Sequence, residues 1–516
     1  MAGTLRTLSR LLRITRVLGR HDALFLLEDV PVASTMVSLT RRIFRRTEDG
    51  RPGQRLARAL IELGPTFIKL GQALSTRPDL VGDEVAADLA DLQDKLQPFP
   101  FPQVREIIEA EFGCPLEDLY QSFDETPVAA ASIAQVHFAI TADGQPVAVK
   151  VLRPGIEQAI ADDVEMFNWL ARTAERLHPD ARRFRPVESV ATFEESVTLE
   201  MDLRFEAASA AELAENFADD PTFRVPSIDW VRTGQRVMTQ ERITGLSLDE
   251  RDGIIAMGLN PNEVLGNAAR AFFTMVFRDG FFHADLHPGN LFVDATGTII
   301  AVDFGIMGRV NESDRRALGE MLLGFLTRDY RRVAEVQFRA GWVPPDQSIE
   351  AFTQAARSIA EPIFGKPIEE ISMARVLSQL FEITRRFDIP AQPQLLLLEK
   401  SMLLAEGVGR TLAPDQNMWE MTYPLIEDWM RTTFGPEARI RNAALGLARS
   451  AERLPAIFEY ADKAAAMISS GGLKLHPDTV KALARQQSPT PRKRTLMMQG
   501  LPWLLVGILG TLLYLR

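Results

Sequence analysis

A chain of 516 residues is too long for one compact core, and 46% hydrophobic with 25% charged residues is the balance of a folded protein rather than a disordered one. A net charge of −11 gives no reason to expect nucleic acid as a partner. Cys114 is the only cysteine, which excludes an intramolecular disulfide and a cysteine-rich metal site and suits a reducing compartment.

Residues 1–50 open with a basic amphipathic segment: Arg6, Arg10, Arg13, Arg16 and Arg20 alternate at helical spacing with Leu8, Leu11, Leu12 and Leu18. Such a helix suits either a solvated surface or contact with a membrane surface. Residues 51–125 read as helical, broken at Gly64-Pro65, Arg77-Pro78 and the Pro98 to Pro102 cluster. Within them KLGQ, residues 69–72, places Lys69 and Gln72 three apart, so both project from one helix face, with Thr76 one turn on.

The period changes in residues 126–245. Val136 to Thr141 and Pro146 to Leu152, joined by a turn containing Asp143-Gly144, read as a hairpin. Helices are expected over about 155–215, then a β patch from Val225 to Ile243. Residues 246–465 read as a larger helical lobe, with a helix over 261–282 and a short hairpin around Asp294 to Gly297. Residues 466–495 read as a linker. The last stretch, 496–515, carries no charged side chain and follows Arg492, Lys493 and Arg494. Twenty residues at about 1.5 Å each reach roughly 30 Å, the hydrocarbon thickness, so a transmembrane anchor is expected, with a buried core helix as the alternative.

Lys150 ends the second strand in VAVKV and needs an anionic partner if it points inward. Glu200, Asp202 and Glu206 in LEMDLRFEAAS are the candidates. The decisive stretch is HADLHPGNLFVDATGTIIAVDFG, residues 283–305. Asp285 stands five before Asn290, and Asp303-Phe304-Gly305 follows a strand, turn and strand. That spacing suits phosphoryl transfer: Asn290 and Asp303 offer hard oxygens to Mg²⁺, and Asp285 can accept the proton of an attacking hydroxyl. His283 and His287 lack a third nearby ligand and are expected to brace the loop rather than bind zinc. Where kinases have a glycine-rich loop over the phosphates, this chain has Ala129, Ala130, Ala131, Ser132, Ile133, Ala134 and Gln135. Each alanine adds a Cβ where glycine would let the backbone close on phosphate.

KLGQ, AAASIAQVH, VAVKV, EMDLRFEAAS, HADLHPGN and DFG, in this order over residues 60 to about 310, resemble the UbiB family of atypical kinases, also called AarF or ABC1. The resemblance implies an α+β, protein-kinase-like two-lobed fold with an N-terminal helical extension, Mg-ATP binding, ATPase activity and a role in ubiquinone biosynthesis at membranes. It makes Lys150 and Glu206 the strand lysine and its helix glutamate, Asp285 the catalytic-loop aspartate, and Asn290 and Asp303 the magnesium ligands. It also lays the KLGQ helix over the site, with Lys69 in reach of Glu200, Asp202 or Asp303, and Gln72 near the phosphates or the alanine loop. Two departures stand out: the acidic segment usually ends in Glu-Ala-x-Asn, and here it ends in Ser209; bacterial members often carry two C-terminal spans, and twenty apolar residues suffice for one.

The expected partners are membrane lipid or quinone precursors and other ubiquinone-biosynthesis enzymes, with a homodimer as a further expectation. The expected place is a bacterial inner membrane with the folded part in the cytoplasm, ahead of a mitochondrial inner membrane. Two other readings compete with an active kinase or ATPase. One is a nucleotide-sensing scaffold with little or no turnover, favoured by the alanine loop. The other is a small-molecule kinase of the aminoglycoside-phosphotransferase kind, which has no need of KLGQ or an anchor.

Overall fold

The computed structural model describes residues 2–27, 50–75, 81–90, 92, 96–177, 186–362 and 393–416, with scattered positions in 383–389 and 424–432. All of them belong to one unit, Met1–Thr433. The linker at 466–495 and the apolar segment at 496–515 lie outside the described residues. Among those described, no helix is long and apolar enough to cross a membrane.

Helix α1 (Ala2–Arg20) packs on the extension helices α2 (Pro52–Leu63), α3 (Pro65–Ser75) and α4 (Asp83–Ala90). Val17, Leu11, Ile14 and Leu18 of α1 join Leu56, Ala59, Leu60, Phe67, Ile68 and Leu89 in one cluster. Each large side chain buried there stabilises the packing by roughly 1.5–3 kcal/mol. Arg10 reaches Asp162 at 2.9 Å and Asp163 at 3.2 Å, and Arg20 pairs with Glu62. Leu11, Ile14, Val17 and Leu18 thus face protein while Arg13, Arg16 and Arg20 stay exposed, the arrangement of a surface helix with a solvated basic side.

Helix α3 runs unbroken through Gly71. A Cβ at that glycine would lie 2.7 Å from Leu60 Cδ1 and 3.1 Å from Leu92 Cδ1, so its role is close helix packing rather than a turn.

Helices α5 (Phe101–Phe112) and α6 (Leu116–Leu119) lead into β1 (Tyr120–Phe123), β2 (Ala129–Ala130), β3 (Ala134–Thr141) and β4 (Pro146–Leu152). The expected hairpin is present in register, Val136 opposite Lys150, with Gly144 at φ 85° in its turn. The extension was expected to stay helical to 125, but Tyr120–Phe123 pairs antiparallel with β3 as an edge strand. Period-two alternation then divides β4. Val147, Val149 and Val151 face α5 in a core with Val104 and Ile108. Ala148, Lys150 and Leu152 face the other way, toward α7 (Ile156–Leu177), α8 (Pro186–Glu200) and α9 (Leu203–Asn216).

A second sheet orders β5 (Phe223–Arg224), β10 (Ile299–Ala301), β9 (Leu291–Val293) and β7 (Leu246–Ser247), while β6 (Val237–Glu241) closes the first sheet beside β4. After β7 (Leu246–Ser247) come α10 (Arg251–Ala256) and α11 (Pro261–Phe273). The helix expected to reach 282 instead widens into a π turn and stops at Gly280, φ 66°. That stop releases β8 (Phe281–His283), ahead of β9 (Leu291–Val293), β10 (Ile299–Ala301) and β11 (Met307–Arg309); β8 pairs with β11. Helices α12 (Glu312–Leu326), α13 (Tyr330–Arg339), α14 (Ile349–Ala360) and α15 (Pro393–Leu412) complete the lobe.

Candidate active site

Three elements bring charge to one place. Strand β4 turns Lys150 away from the valine face, helix α9 presents Glu206 from its first turn, and Asp303 follows β10. Lys150 Nζ donates to both oxygens of Glu206, at 2.7 and 2.9 Å, and to Asp303 Oδ1 at 3.2 Å. Glu206 is buried, its side chain 7% exposed, whereas Asp303 keeps 48% of its side chain open to solvent. Burial opposes the charge on Lys150, but Asp303 and Glu206 overcome it and raise the ammonium above its ordinary range. Burial also pushes the Glu206 carboxyl up, against the pull of Lys150. Burial would raise Asp303 too, yet Lys150, with Lys69 and His283, holds it down to about 2, so it is a carboxylate at any physiological pH.

Asp303 is one of three non-glycine residues with positive φ, at 60°, among those described. A short polar side chain is among the few that tolerate this left-handed geometry. Gly305 donates its N–H back to Asp303 Oδ1 at 3.4 Å, and Phe304 is buried edge-on to His283 at 5.6 Å. The backbone twist thus sends one residue outward and the next into the core.

Asp285 follows β8 on a loop that its own side chains hold. Asn290 Nδ2 donates to the Asp285 backbone oxygen at 3.0 Å and to Oδ2 at 3.2 Å, which leaves the Asn290 amide oxygen to face elsewhere. His283 Nδ1 accepts the Asp285 N–H at 3.1 Å, so its Nε2 carries the proton toward Val302 O at 3.2 Å. Burial lowers the His283 pKa and keeps the ring neutral. His287 Nδ1 accepts the Gly289 N–H at 3.1 Å and caps the short turn Pro288–Asn290. Both histidines are occupied with the loop, as two bracing groups would be.

Of the remaining sequence candidates, Lys69 on α3 pairs with Glu200 at the end of α8, at 2.7 Å. Gln72 lies half-buried on the same helix. Asp202 does not meet Lys150; it caps α9, accepting from Arg204 N at 3.1 Å, and pairs with the Arg204 side chain.

The alanine segment is a fixed turn. Ala130 lies opposite Gln135, and Ala131 N donates to Ala134 O at 2.8 Å. Ser132, Ile133 and Ala134 are buried. Gln135, expected near the nucleotide, is also buried and clasps the Phe99 backbone: Oε1 accepts from Phe99 N at 2.9 Å and Nε2 donates to Phe99 O at 3.2 Å.

Two residues here escaped the sequence reading. Arg153 donates from Nε and Nη2 to Ala131 O, at 3.1 and 2.8 Å, and fastens the turn from below. Lys400 on α15 stands 3.5 Å from Asp285 Oδ1. The second had a visible signal: Glu399 and Lys400 are the only charged residues in PQLLLLEKSMLL.

Residues 91–337 match the ABC1 atypical kinase-like domain, and residues 356–417 match the UbiB helical domain. A "probable protein kinase UbiB" of Marinobacter nauticus is 40% identical over 94% of this chain and 90% of its own length. The chain belongs to the UbiB family. A UbiB relative from Photobacterium profundum is 44% identical over 79% of this chain and 76% of its own. A Mycobacterium tuberculosis protein solved with erythromycin aligns with a TM-score of 0.47 at 25% identity, over 75% of this chain and 99% of that one. The resemblance expected from the motifs is thus met by whole-chain relatives. The UbiB helical match takes in α15, the helix that carries Lys400.

Proposed function

We propose that this protein is a membrane-associated, Mg-ATP-dependent atypical kinase or ATPase that supports ubiquinone biosynthesis. The observation that carries the reading is the constellation of Lys150, Glu206 and Asp303 beside the Asp285–Asn290 loop. A buried lysine held by a glutamate suits the phosphates of a nucleotide, as in kinases.

The donor chemistry fits the ligands this asks for. Asp303 is an exposed, strongly acidic carboxylate, and the Asn290 amide oxygen is turned away from Asp285. Both are hard oxygen donors, and Mg²⁺ is ordinarily held by one or two such groups together with phosphate oxygens and water. Bound there, Mg²⁺ would neutralise charge on the transferring phosphoryl group. Lys150 would hold the nucleotide's phosphates, Glu206 would keep Lys150 in place, and Asp285 would take the proton of the attacking water or hydroxyl.

Membrane association rests on the uncharged twenty-residue segment 496–515 behind Arg492, Lys493 and Arg494. The ubiquinone role rests on the family, and the partners would be quinone precursors, lipid and other enzymes of that synthesis. A nucleotide-responsive scaffold is the second reading, favoured by the Lys150–Asp303 contact and the alanine turn, both of which restrain the site.

Asp303→Asn keeps a residue that tolerates left-handed backbone, so it removes charge while sparing the fold. It is expected to abolish Mg²⁺-dependent ATP binding by calorimetry, and unchanged affinity would sink the site assignment. Turnover of ATP by the intact protein in lipid separates the enzyme from the scaffold. A strain lacking the gene should be depleted of quinone, and a normal quinone pool would remove the ubiquinone role.

A further inference from the structure

The loop HADLHPGN, residues 283–290, contains no lysine or arginine, so it brings no cation of its own to Asp285. One arrives from outside the kinase-like domain. Lys400 Nζ lies 3.5 Å from Asp285 Oδ1, with the two side chains 22% and 33% exposed. The other carboxylate oxygen, Oδ2, accepts from Asn290. Asp285 is therefore gripped from two sides, by an amide within the loop and by an ammonium on α15.

This ion pair is not needed to dock α15. Leu398, Val408 and Leu412 are buried in the main core of the lobe, and Leu412 O accepts from Arg251 Nε at 3.1 Å. Ser401, next to Lys400, is fully buried with its Oγ 2.8 Å from Leu397 O, and 3.5 Å from the carbonyl of His283 at the head of the loop. The helix is already seated, and the seat delivers a flexible, partly solvated lysine to the one carboxylate expected to move a proton. A single, partly solvated pair at this distance contributes little to stability. Its effect lies in geometry, where a misplacement of about 1 Å can cost a reaction 10²-fold.

Resting on the function proposed above, we propose that Lys400 is a positioning residue for Asp285, by which the helical domain sets the orientation of the catalytic-loop carboxylate. Its ammonium holds Oδ1 toward α15 while Asn290 holds Oδ2, fixing the plane of the carboxylate in which the proton is received. Turnover then depends on the docking of α15, although α15 lies outside the kinase-like domain.

The test uses the full chain in lipid, with Lys400→Met, Lys400→Arg, Asp285→Asn and the Lys400→Met, Asp285→Asn pair. Lys400→Met should lower kcat for ATP by about tenfold or more, leave Mg-ATP affinity within twofold, and lose nothing further in the Asp285→Asn background. Lys400→Arg should recover most of the rate. A rate within twofold of the parent, or an equal further loss without Asp285, overturns the proposal. Hydrogen exchange of the peptide over 283–290 reads the contact without turnover: faster exchange in Lys400→Met, restored in Lys400→Arg, supports it, and unchanged exchange overturns it. A parent protein that hydrolyses no ATP defeats the proposed function, and in that case the exchange result decides the contact.

Discussion

The Lys69 ammonium lies 2.7 Å from Glu200 Oε2, tying the N-terminal extension to the segment that leads into the helix bearing Glu206. Lys69 also helps hold Asp303 acidic from this position. Removing the cation makes the site more negative, so divalent metal should be drawn in more strongly. Lys69→Ala is expected to lower the Mg²⁺ concentration for half-maximal nucleotide binding by a few fold, whereas Lys69→Arg should not. A titration showing equal Mg²⁺ dependence in all three proteins would return Lys69 to a purely structural role.

Breaking the Lys150–Glu206 pair leaves a buried carboxylate alone. Lys150→Met should cost about 3 kcal/mol in urea unfolding, the range for removing one partner of a buried pair. Glu206 is already pushed toward its neutral form, and a group whose folded pKa is raised gives its full stability below the unfolded value, about 4.3. The deficit of Lys150→Met against the parent should therefore narrow as pH falls from about 8 toward 5. A deficit that is constant across that range would mean Glu206 stays ionised without its lysine.

Two helical glycines should answer oppositely to alanine. At Gly71 the new Cβ meets Leu60 and Leu92 at 2.7 and 3.1 Å, so strain of about 1–3 kcal/mol outweighs the helix propensity gained. At Gly266, inside α11, nothing lies within 4 Å, and the same change should stabilise by roughly 0.5–1 kcal/mol. Thermal melts of the two variants check the signs. A stabilised Gly71→Ala would show that α3 can move away from Leu60 without cost.

Burial lowers the pKa of both His283 and His137. Groups depressed in the folded state contribute stability above their unfolded value, about 6.5, and lose it as pH falls. The melting temperature should be level from about pH 8 to 7 and drop below about 6.5. His137→Gln should shallow that drop, and an unchanged slope in this variant would assign the transition to other groups.

The two hairpins were plain in the sequence because Asp143-Gly144 and Asp294 to Gly297 fix turn chemistry locally, and both turns carry a glycine at φ 85°. The strand at Tyr120–Phe123 was hidden because it is only an edge, paired on one side with β3, in a stretch surrounded by helices. Gly280 ends a helix that apolar periodicity alone would carry onward, since nothing in periodicity foretells a left-handed cap. Asn290 meets Asp285 within one loop, a relation that spacing alone can suggest, whereas the meeting of Asp303 with Lys150 depends on the fold. Asp202 was misjudged because an acid ahead of a helix serves equally as cap or as ion-pair partner, and only the fold decides. Lys400 and Arg153 depend on contacts across 115 and 22 residues of chain, 400 − 285 and 153 − 131, which no short window contains.

Arg153 grips the carbonyl of Ala131 with two nitrogens and that of Gln97 with a third, at 3.0 Å, while Gln135 clasps Phe99 on the far side. These hydrogen bonds restrain the alanine turn. A nucleotide in the proposed site would therefore lie beside a turn held by a guanidinium clasp where kinases have a glycine hinge.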